Sequence, residues 1–404
     1  MADLNSTPSG ERIHIGFFGL RNAGKSSLVN AVTGQDLAVV SPVQGTTTDL
    51  VSKAMELLPL GPVVIVDTPG FDDVGELGEL RVQRTKQALR KCDIAVLVTE
   101  VGRDLQPTEK QLLELFAERN IPFVVALNKV DLLDDKARLA LTLDENQLAT
   151  SATEGINIYE LKELIGHLSA ASKKEKRVVA DLIEPGDLVV LVIPIDSSAP
   201  KGRIILPQQM VLRDILDAHA SAVCCQPEEL ADVLASIRKP KLVITDSQVF
   251  GQVSAVVPED IWLTSFSILL ARYKGSLESF VRGAAELSRL KDGDKVVVSE
   301  GCSHHRQCED IGTVKIPRWL KGFSGAQPDF DYTSGVEFPE NLDDTQLVLH
   351  CGGCMLNDKE MAHRVQKAAD AGVPIVNYGI AIAHMHGILK RSLEPFPQVA
   401  ALIE

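Results

Sequence analysis

The segment Gly19-Leu20-Arg21-Asn22-Ala23-Gly24-Lys25-Ser26 constrains this chain more than any other. It has the form G-x-x-x-x-G-K-S, follows the β-rich run Ile13 to Gly19, and opens the helix-like stretch Ser26 to Val32. In that context the loop is a phosphate cradle: glycines let backbone N–H groups wrap phosphate oxygens, and the helix N-terminus adds positive potential. Lys25 is expected to bridge the β- and γ-phosphates of a nucleotide and the Ser26 hydroxyl to ligate Mg²⁺. Gly19, Asn22, Ala23, Gly24 and Ser27 complete the expected nucleotide contacts. A loop of this kind needs a strand to end where a helix begins. The runs Val63 to Asp67, Ile94 to Thr99 and Pro122 to Leu127, alternating with helix-like stretches such as Thr108 to Glu118, supply the rest of an α/β layer structure with a parallel sheet.

Two further segments narrow the ligand. Asp67-Thr68-Pro69-Gly70 follows an apolar strand, which places a carboxylate at the strand tip to hold the metal through water and the Gly70 amide near the γ-phosphate. Asn128-Lys129-Val130-Asp131 follows the strand Phe123 to Leu127. A carboxylate there can accept two hydrogen bonds from the N1 and N2 donors of guanine, which adenine does not offer, so the expected ligand is GTP or GDP.

These segments resemble the G1, G3 and G4 boxes of the Ras-like P-loop GTPase superfamily, and Ser151-Ala152-Thr153 resembles its G5 box, over roughly Arg12 to Leu168. Gly45-Thr46-Thr47-Thr48-Asp49 is similar to the switch I pattern of the Era and TrmE-like branch. The resemblance implies that Thr47 approaches Mg²⁺ and the γ-phosphate, and that Asn22 helps hold a K⁺ ion in place of an arginine finger. Phe71 stands where Ras-like proteins carry the glutamine that positions water, so slow intrinsic hydrolysis with K⁺ stimulation is expected. Lys25, Asn22, Thr47, Asp67 and Gly70 are the expected catalytic set.

At 404 residues the chain has room for two or three domains. Composition is that of an ordinary soluble protein, without a long apolar run or the basic start and apolar core of a signal peptide, and a cytoplasmic location is expected. The formal net charge of −14 disfavours nucleic acid as a partner, and no membrane partner is expected. The charged stretch Ala170 to Arg177 reads as a linker, which divides the chain into a GTPase domain over 1–172, a second α/β domain over 178–265 and a third over 266–404. Lys315 to Glu340, rich in Gly, Pro and aromatic residues, is expected to be a long loop.

Seven cysteines are an odd number, and clustered ones in a reducing compartment suggest metal ligands. Cys302-Ser303-His304 and His350-Cys351-Gly352-Gly353-Cys354 form C-x-H … H-C-x-x-C. Cys and His donors suit tetrahedral zinc, whereas three cysteines with an open fourth position suit a [4Fe-4S] cluster, and the residues alone do not separate the two. Cys92, Cys224, Cys225 and Cys308 read as packing residues, and His384 and His386 as packing or surface residues on different sides of a helix.

A GTPase of this branch joined to that motif resembles the HydF family of [FeFe]-hydrogenase maturation GTPases over essentially the whole chain. The resemblance implies a [4Fe-4S] cluster held by Cys302, Cys351 and Cys354, with His304 and His350 as motif residues around it. It also implies a homodimer or higher assembly through the middle domain, and a scaffold or carrier role for a transient di-iron subcluster precursor. Two radical-SAM maturases and apo-[FeFe]-hydrogenase would be the partners. The alternative is a ribosome-assembly or tRNA-modification GTPase with a structural zinc.

Overall fold

A computed structural model of the chain describes residues 9–35, 51–68, 85, 88–172, 176–195, 204–301, 311–335 and 337–403. The chain forms two compact units, Met1–Glu175 and Lys176–Glu404.

The first unit is a six-stranded sheet built from β1 (Ile13–Phe18), β2 (Val51–Leu57), β3 (Gly61–Asp67), β4 (Ile94–Glu100), β5 (Phe123–Asn128) and β6 (Gln147–Ala149), in the order β2-β3-β1-β4-β5-β6. Only β2 runs antiparallel, beside β3. Strands buried on both faces must be apolar at nearly every position, and β1 and β4 are. Ile15, Phe17, Val96 and Val98 meet Leu28, Val29 and Val32 of the Lys25–Thr33 helix and Leu161 and Ile165 of the Ile158–Ser172 helix. Phe18, Ala95 and Leu97 meet Leu112 and Phe116 of the Pro107–Glu118 helix on the other face. Cys92 is fully buried in that second layer, as a packing residue. The chain leaves β1 towards β3 and leaves β4 towards β5, so adjacent β1 and β4 diverge at their carboxyl ends, where α/β sheets open a ligand crevice.

The second unit holds two four-stranded sheets, each parallel throughout. One comprises β7 (Leu188–Val192), β8 (Ser221–Cys225), β9 (Leu242–Thr245) and β10 (Trp262–Ser265), ordered β10-β9-β7-β8. The other comprises β11 (Lys295–Glu300), β12 (Asp329–Ser334), β13 (Thr345–His350) and β14 (Ile375–Asn377), ordered β12-β11-β13-β14. A single apolar core joins them: Val189, Leu191 and Ile244 of the first sheet and Val296, Val298, Leu347 and Leu349 of the second share it with Phe266, Leu269, Phe280 and Val281. The expected boundary between residues 265 and 266 falls at the start of the Phe266–Tyr273 helix, inside this core.

Three expectations are corrected. Lys315 to Glu340 is not a long loop, because it contains the Ile316–Ser324 helix and β12. Strand β12 was hidden because it lies at a sheet edge and reads Asp-Phe-Asp-Tyr-Thr-Ser, polar where one side meets solvent. Cys224 is not a buried packing residue; it lies exposed on the edge strand β8, while Cys225 is buried. His384 and His386 do not face different surroundings: their rings meet Phe323 at 5.6 Å and Trp319 at 5.9 Å, both on the same Ile316–Ser324 helix. The helix ends at Met385, and His386 as its cap is no longer bound by helical periodicity.

Candidate nucleotide and cluster sites

The loop after β1 ends in Gly24, whose φ of +85° only glycine adopts readily; a Cβ there would sit 2.2 Å from Asn128 Nδ2. The close approach has a purpose. Asn128 Nδ2 donates to Ala23 O at 3.0 Å, and its Oδ1 accepts from the Ala152 amide at 3.2 Å. One buried amide thus ties the phosphate loop to the loop after β6, bringing together segments more than a hundred residues apart. Lys25 begins its helix and is largely buried. Asn22 adopts φ +64°, which Asn tolerates better than most residues.

Lys129 sits at φ +68° with its ammonium 2.8 Å from Glu100, a partner the motif did not disclose. The Val130 amide donates to Thr150 O and the Thr150 amide to Leu127 O, which locks the loops after β5 and β6 side by side. A hydrogen bond from Ser151 holds the Asp131 carboxyl below its usual range. Ser151 Oγ lies 3.1 Å from Thr153 Oγ1 and accepts from the Glu154 amide. The other Asp131 oxygen, Oδ1, is buried with no hydrogen-bond partner among the described residues. An acceptor left unsatisfied in a prearranged site suits a ligand that brings donors, and guanine brings two.

Thr68 Oγ1 donates to Phe17 O at 2.7 Å, which anchors the end of β3 beside β1. Asp67 closes β3 opposite Phe17, at the same end of the sheet as the phosphate loop. Thr47, Gly70 and Phe71 lie outside the described residues, as does the side chain of Asp67.

The second constellation lies at the carboxyl ends of β11 and β13. Ser299 pairs with His350 across the two strands, and the Cys351 amide donates to Ser299 O. Cys351 Sγ accepts from the Gly301 amide at 3.0 Å and from the Gly353 amide at 3.4 Å. A Cβ on Gly301 would meet Leu356 at 2.8 Å, so this approach also requires glycine. Cys302 follows Gly301 directly in the chain, but Cys302, His304, His305 and Cys308 lie outside the described residues. Among the described residues no three His, Cys, Asp or Glu side chains group as metal ligands.

Burial pushes the Cys354 thiol up, opposed by the nearby Lys274 ammonium. Lys274 is itself almost wholly buried; its Nζ donates to Leu356 O at 3.0 Å and pairs with Asp358 at 3.1 Å. Two amide donors on one sulfur and a buried cation near another match what an anionic thiolate or thiolate-bound cluster needs.

His350 is completely buried, and both ring nitrogens are engaged. Nδ1 lies 2.7 Å from Cys351 O, and Nε2 lies 3.1 Å from Arg364 Nη1. Burial first, and the Arg364 charge second, depress its pKa to about 3. Arg364 was not foreseen from sequence. It is a charged residue on the Asp358–Asp370 helix, which reads as amphipathic, and only the tertiary packing places it beneath the cysteine turn.

Residues 14–129 match the family described as 50S ribosome-binding GTPase. Over 173 residues the chain is 33% identical to the tRNA modification GTPase MnmE of Thermoanaerobacter sp. (strain X514), covering 41% of this chain and 37% of that protein. The MnmE protein of Desulfotalea psychrophila is 36% identical over 154 residues, covering 36% and 32%. The chain thus spans about a third of the length of these curated relatives. Among solved structures, an Era complex with MgGDPNP and a 16S ribosomal RNA fragment aligns at 20% identity and TM-score 0.35, covering 62% of this chain and 92% of that one. A probable GTP-binding protein engB aligns at 24% identity and TM-score 0.32, covering 39% and 99%. Residues 178–275 match the Hydrogen maturase F dimerization domain and residues 278–395 its tetramerization domain. Two domains described for hydrogen maturase F thus occupy more than half of the chain behind a Ras-like GTPase fold, and the chain belongs to the hydrogen maturase F family.

Proposed function

We propose that this protein is a GTP-hydrolysing scaffold that holds a [4Fe-4S] cluster and carries the di-iron subcluster precursor to apo-[FeFe]-hydrogenase. The observation that carries this reading is the Cys351 sulfur drawn by two amides to the end of β11, next in sequence to Cys302, in a chain that also has the nucleotide site. Cys302, Cys351 and Cys354 would supply the thiolates, and bound iron would add an exchangeable coordination position for cargo.

In the nucleotide site, Gly19, Asn22, Ala23, Gly24, Lys25, Ser26 and Ser27 cradle the phosphates, with Ser26, Thr47 and Asp67 around Mg²⁺. Asn128, Lys129, Asp131, Ser151 and Ala152 frame guanine: Asp131 accepts from the base, and Asn128 holds three loops in register. Asn22 assists a K⁺ ion, and hydrolysis is slow because Phe71 replaces the water-positioning glutamine. K⁺ stimulation is tested by comparing GTP turnover in KCl and NaCl; equal rates remove that role.

Self-association runs through residues 178–275 and 278–395, after which the matched domains are named. We assign 1–172 to GTP binding, 178–265 to dimerisation and 266–404 to the cluster. Two radical-SAM maturases would load the scaffold, in the cytoplasm, and nucleotide state would gate their exchange with hydrogenase. No helix among the described residues is long and apolar enough to cross a membrane. The MnmE likeness supports GTP chemistry but is confined to about two fifths of the chain, the part shared by many GTPases.

The deciding experiment is iron, acid-labile sulfide and zinc analysis of anaerobically reconstituted protein, with EPR after reduction, beside a Cys302→Ala, Cys351→Ala, Cys354→Ala variant. About four irons and four sulfides per chain that vanish in the variant support the reading. One zinc without sulfide defeats it and leaves only the GTPase.

A further inference from the structure

We propose that Arg364 is a positioning residue that locks His350 in its Nδ1-protonated tautomer, making His350 a strut for the Cys351–Cys354 turn and removing it from the iron ligands. The inference deepens the cluster assignment above and rests on it where it speaks of iron.

The Arg364 side chain is fully buried, and its whole fork is engaged. Nε donates to Glu360 Oε1 at 2.9 Å and Nη2 to Gly335 O at 2.8 Å, while Nη1 faces His350 Nε2 at 3.1 Å and Ser299 Oγ at 3.4 Å. The guanidinium also lies over the Phe338 ring at 5.3 Å. Arginine has donors only, so the imidazole nitrogen facing it must offer a lone pair. Nε2 is therefore unprotonated and the proton resides on Nδ1. The other contact requires the same answer: Nδ1 lies 2.7 Å from Cys351 O, which can only accept. The opposite tautomer would set N–H against N–H on one side and lone pair against lone pair on the other.

Iron takes a histidine through a lone pair. The one lone pair of His350 already accepts from Arg364, and releasing it would strip a wholly buried cation of a partner. What the ring does instead is hold the Cys351 carbonyl. That bond orients the peptide leading into Gly352 and Gly353, while the Cys351 amide is held by Ser299 O and its sulfur by the Gly301 and Gly353 amides. Arg364 also reaches Ser299 on β11, so one guanidinium references both strands that deliver cysteines. With His350 withdrawn, the fourth iron position is left to an exchangeable group, which suits a carrier.

The test has two arms on the full chain. In the first, metal-free protein labelled with ¹⁵N-histidine is examined by magic-angle-spinning NMR, with the His350 signals identified by their loss in His350→Gln. The expected result is one protonated Nδ1 and one hydrogen-bonded imine Nε2. The Nε2 resonance should move in Arg364→Met and return part-way in Arg364→Lys. An Nε2-protonated His350 in the wild type, or an Nε2 signal indifferent to Arg364→Met, overturns the lock.

In the second arm, reconstituted and reduced wild type and His350→Gln are compared by iron content and pulsed EPR of the ¹⁵N-histidine label. Equal iron and no lost strong nitrogen coupling in His350→Gln are expected; loss of such a coupling makes His350 a ligand and defeats the proposal. If the wild type takes up no iron, the cluster assignment fails while the first arm still decides the Arg364–His350 lock. His350→Gln keeps the test intact should Arg364→Met not fold.

Discussion

Replacing Arg364 by Met is the perturbation with the most calculable consequence. Arg364 and Glu360 form an ion pair at 2.9 Å one helical turn apart, with side chains 0% and 6% exposed, so water cannot take over the work of a missing partner. Breaking a buried pair from one side costs about 3–5 kcal/mol, because the remaining charge stays in a low-dielectric interior. The bonds to Gly335 O and His350 Nε2 vanish as well, but such losses within one network do not add, and the total is expected to stay within that range. Glu360→Met breaks the same pair from the other side and should cost about as much. The Arg364→Met/Glu360→Met double variant should cost far less than the sum of the two, because no uncompensated charge remains.

The assay is favourable, because both tryptophans of the chain, Trp262 and Trp319, lie in the Lys176–Glu404 unit and report on it alone. In urea, at fixed protein concentration and a slope of about 2–3 kcal/mol/M, each single variant should lower the midpoint by about 1–2 M. A single-variant shift below about 0.3 M, or additive costs in the double variant, would refute the buried-pair reasoning.

Asp131→Asn should weaken GDP binding on the order of a hundredfold or more, by turning an acceptor towards the guanine donors into a donor, and should favour xanthine nucleotides; unchanged selectivity in competition titrations would defeat the role given to Asp131. Asn128→Ala removes the bonds to Ala23 O and the Ala152 amide, and should accelerate GDP release at least tenfold by stopped-flow fluorescence. Burial raises the Glu109 carboxyl, but the Arg103 hydrogen bonds and the Gln106 amide overcome it and hold the group below its ordinary range. That stabilisation is fully present above the unfolded value near pH 4.5 and is lost as pH falls through the lowered folded value. Acid unfolding of the first unit, followed by release of a fluorescent guanine nucleotide, should therefore lose part of its pH dependence in Glu109→Gln.

The sequence by itself determined the GTPase character of the first unit and its parallel layers. Both are local: a glycine loop must sit between strand and helix, and strands buried on two faces must be apolar along their length, as Ile94 to Val98 are. It also singled out the cysteine motif, because cysteine and histidine at those spacings have few other uses. Tertiary structure alone decided what surrounds them. Edge strand β12 faces solvent on one side and loses the apolar signature that betrays a central strand. Glu360 and Arg364 read as an ordinary i, i+4 pair on an amphipathic helix, and nothing in their spacing says that this face is buried. Packing the Asp358–Asp370 helix over β11 and β13 turned that pair into the support of His350 and the cysteine turn. The residues that carry chemistry are recognised by type and spacing; those that aim them are chosen by burial, which depends on the whole fold.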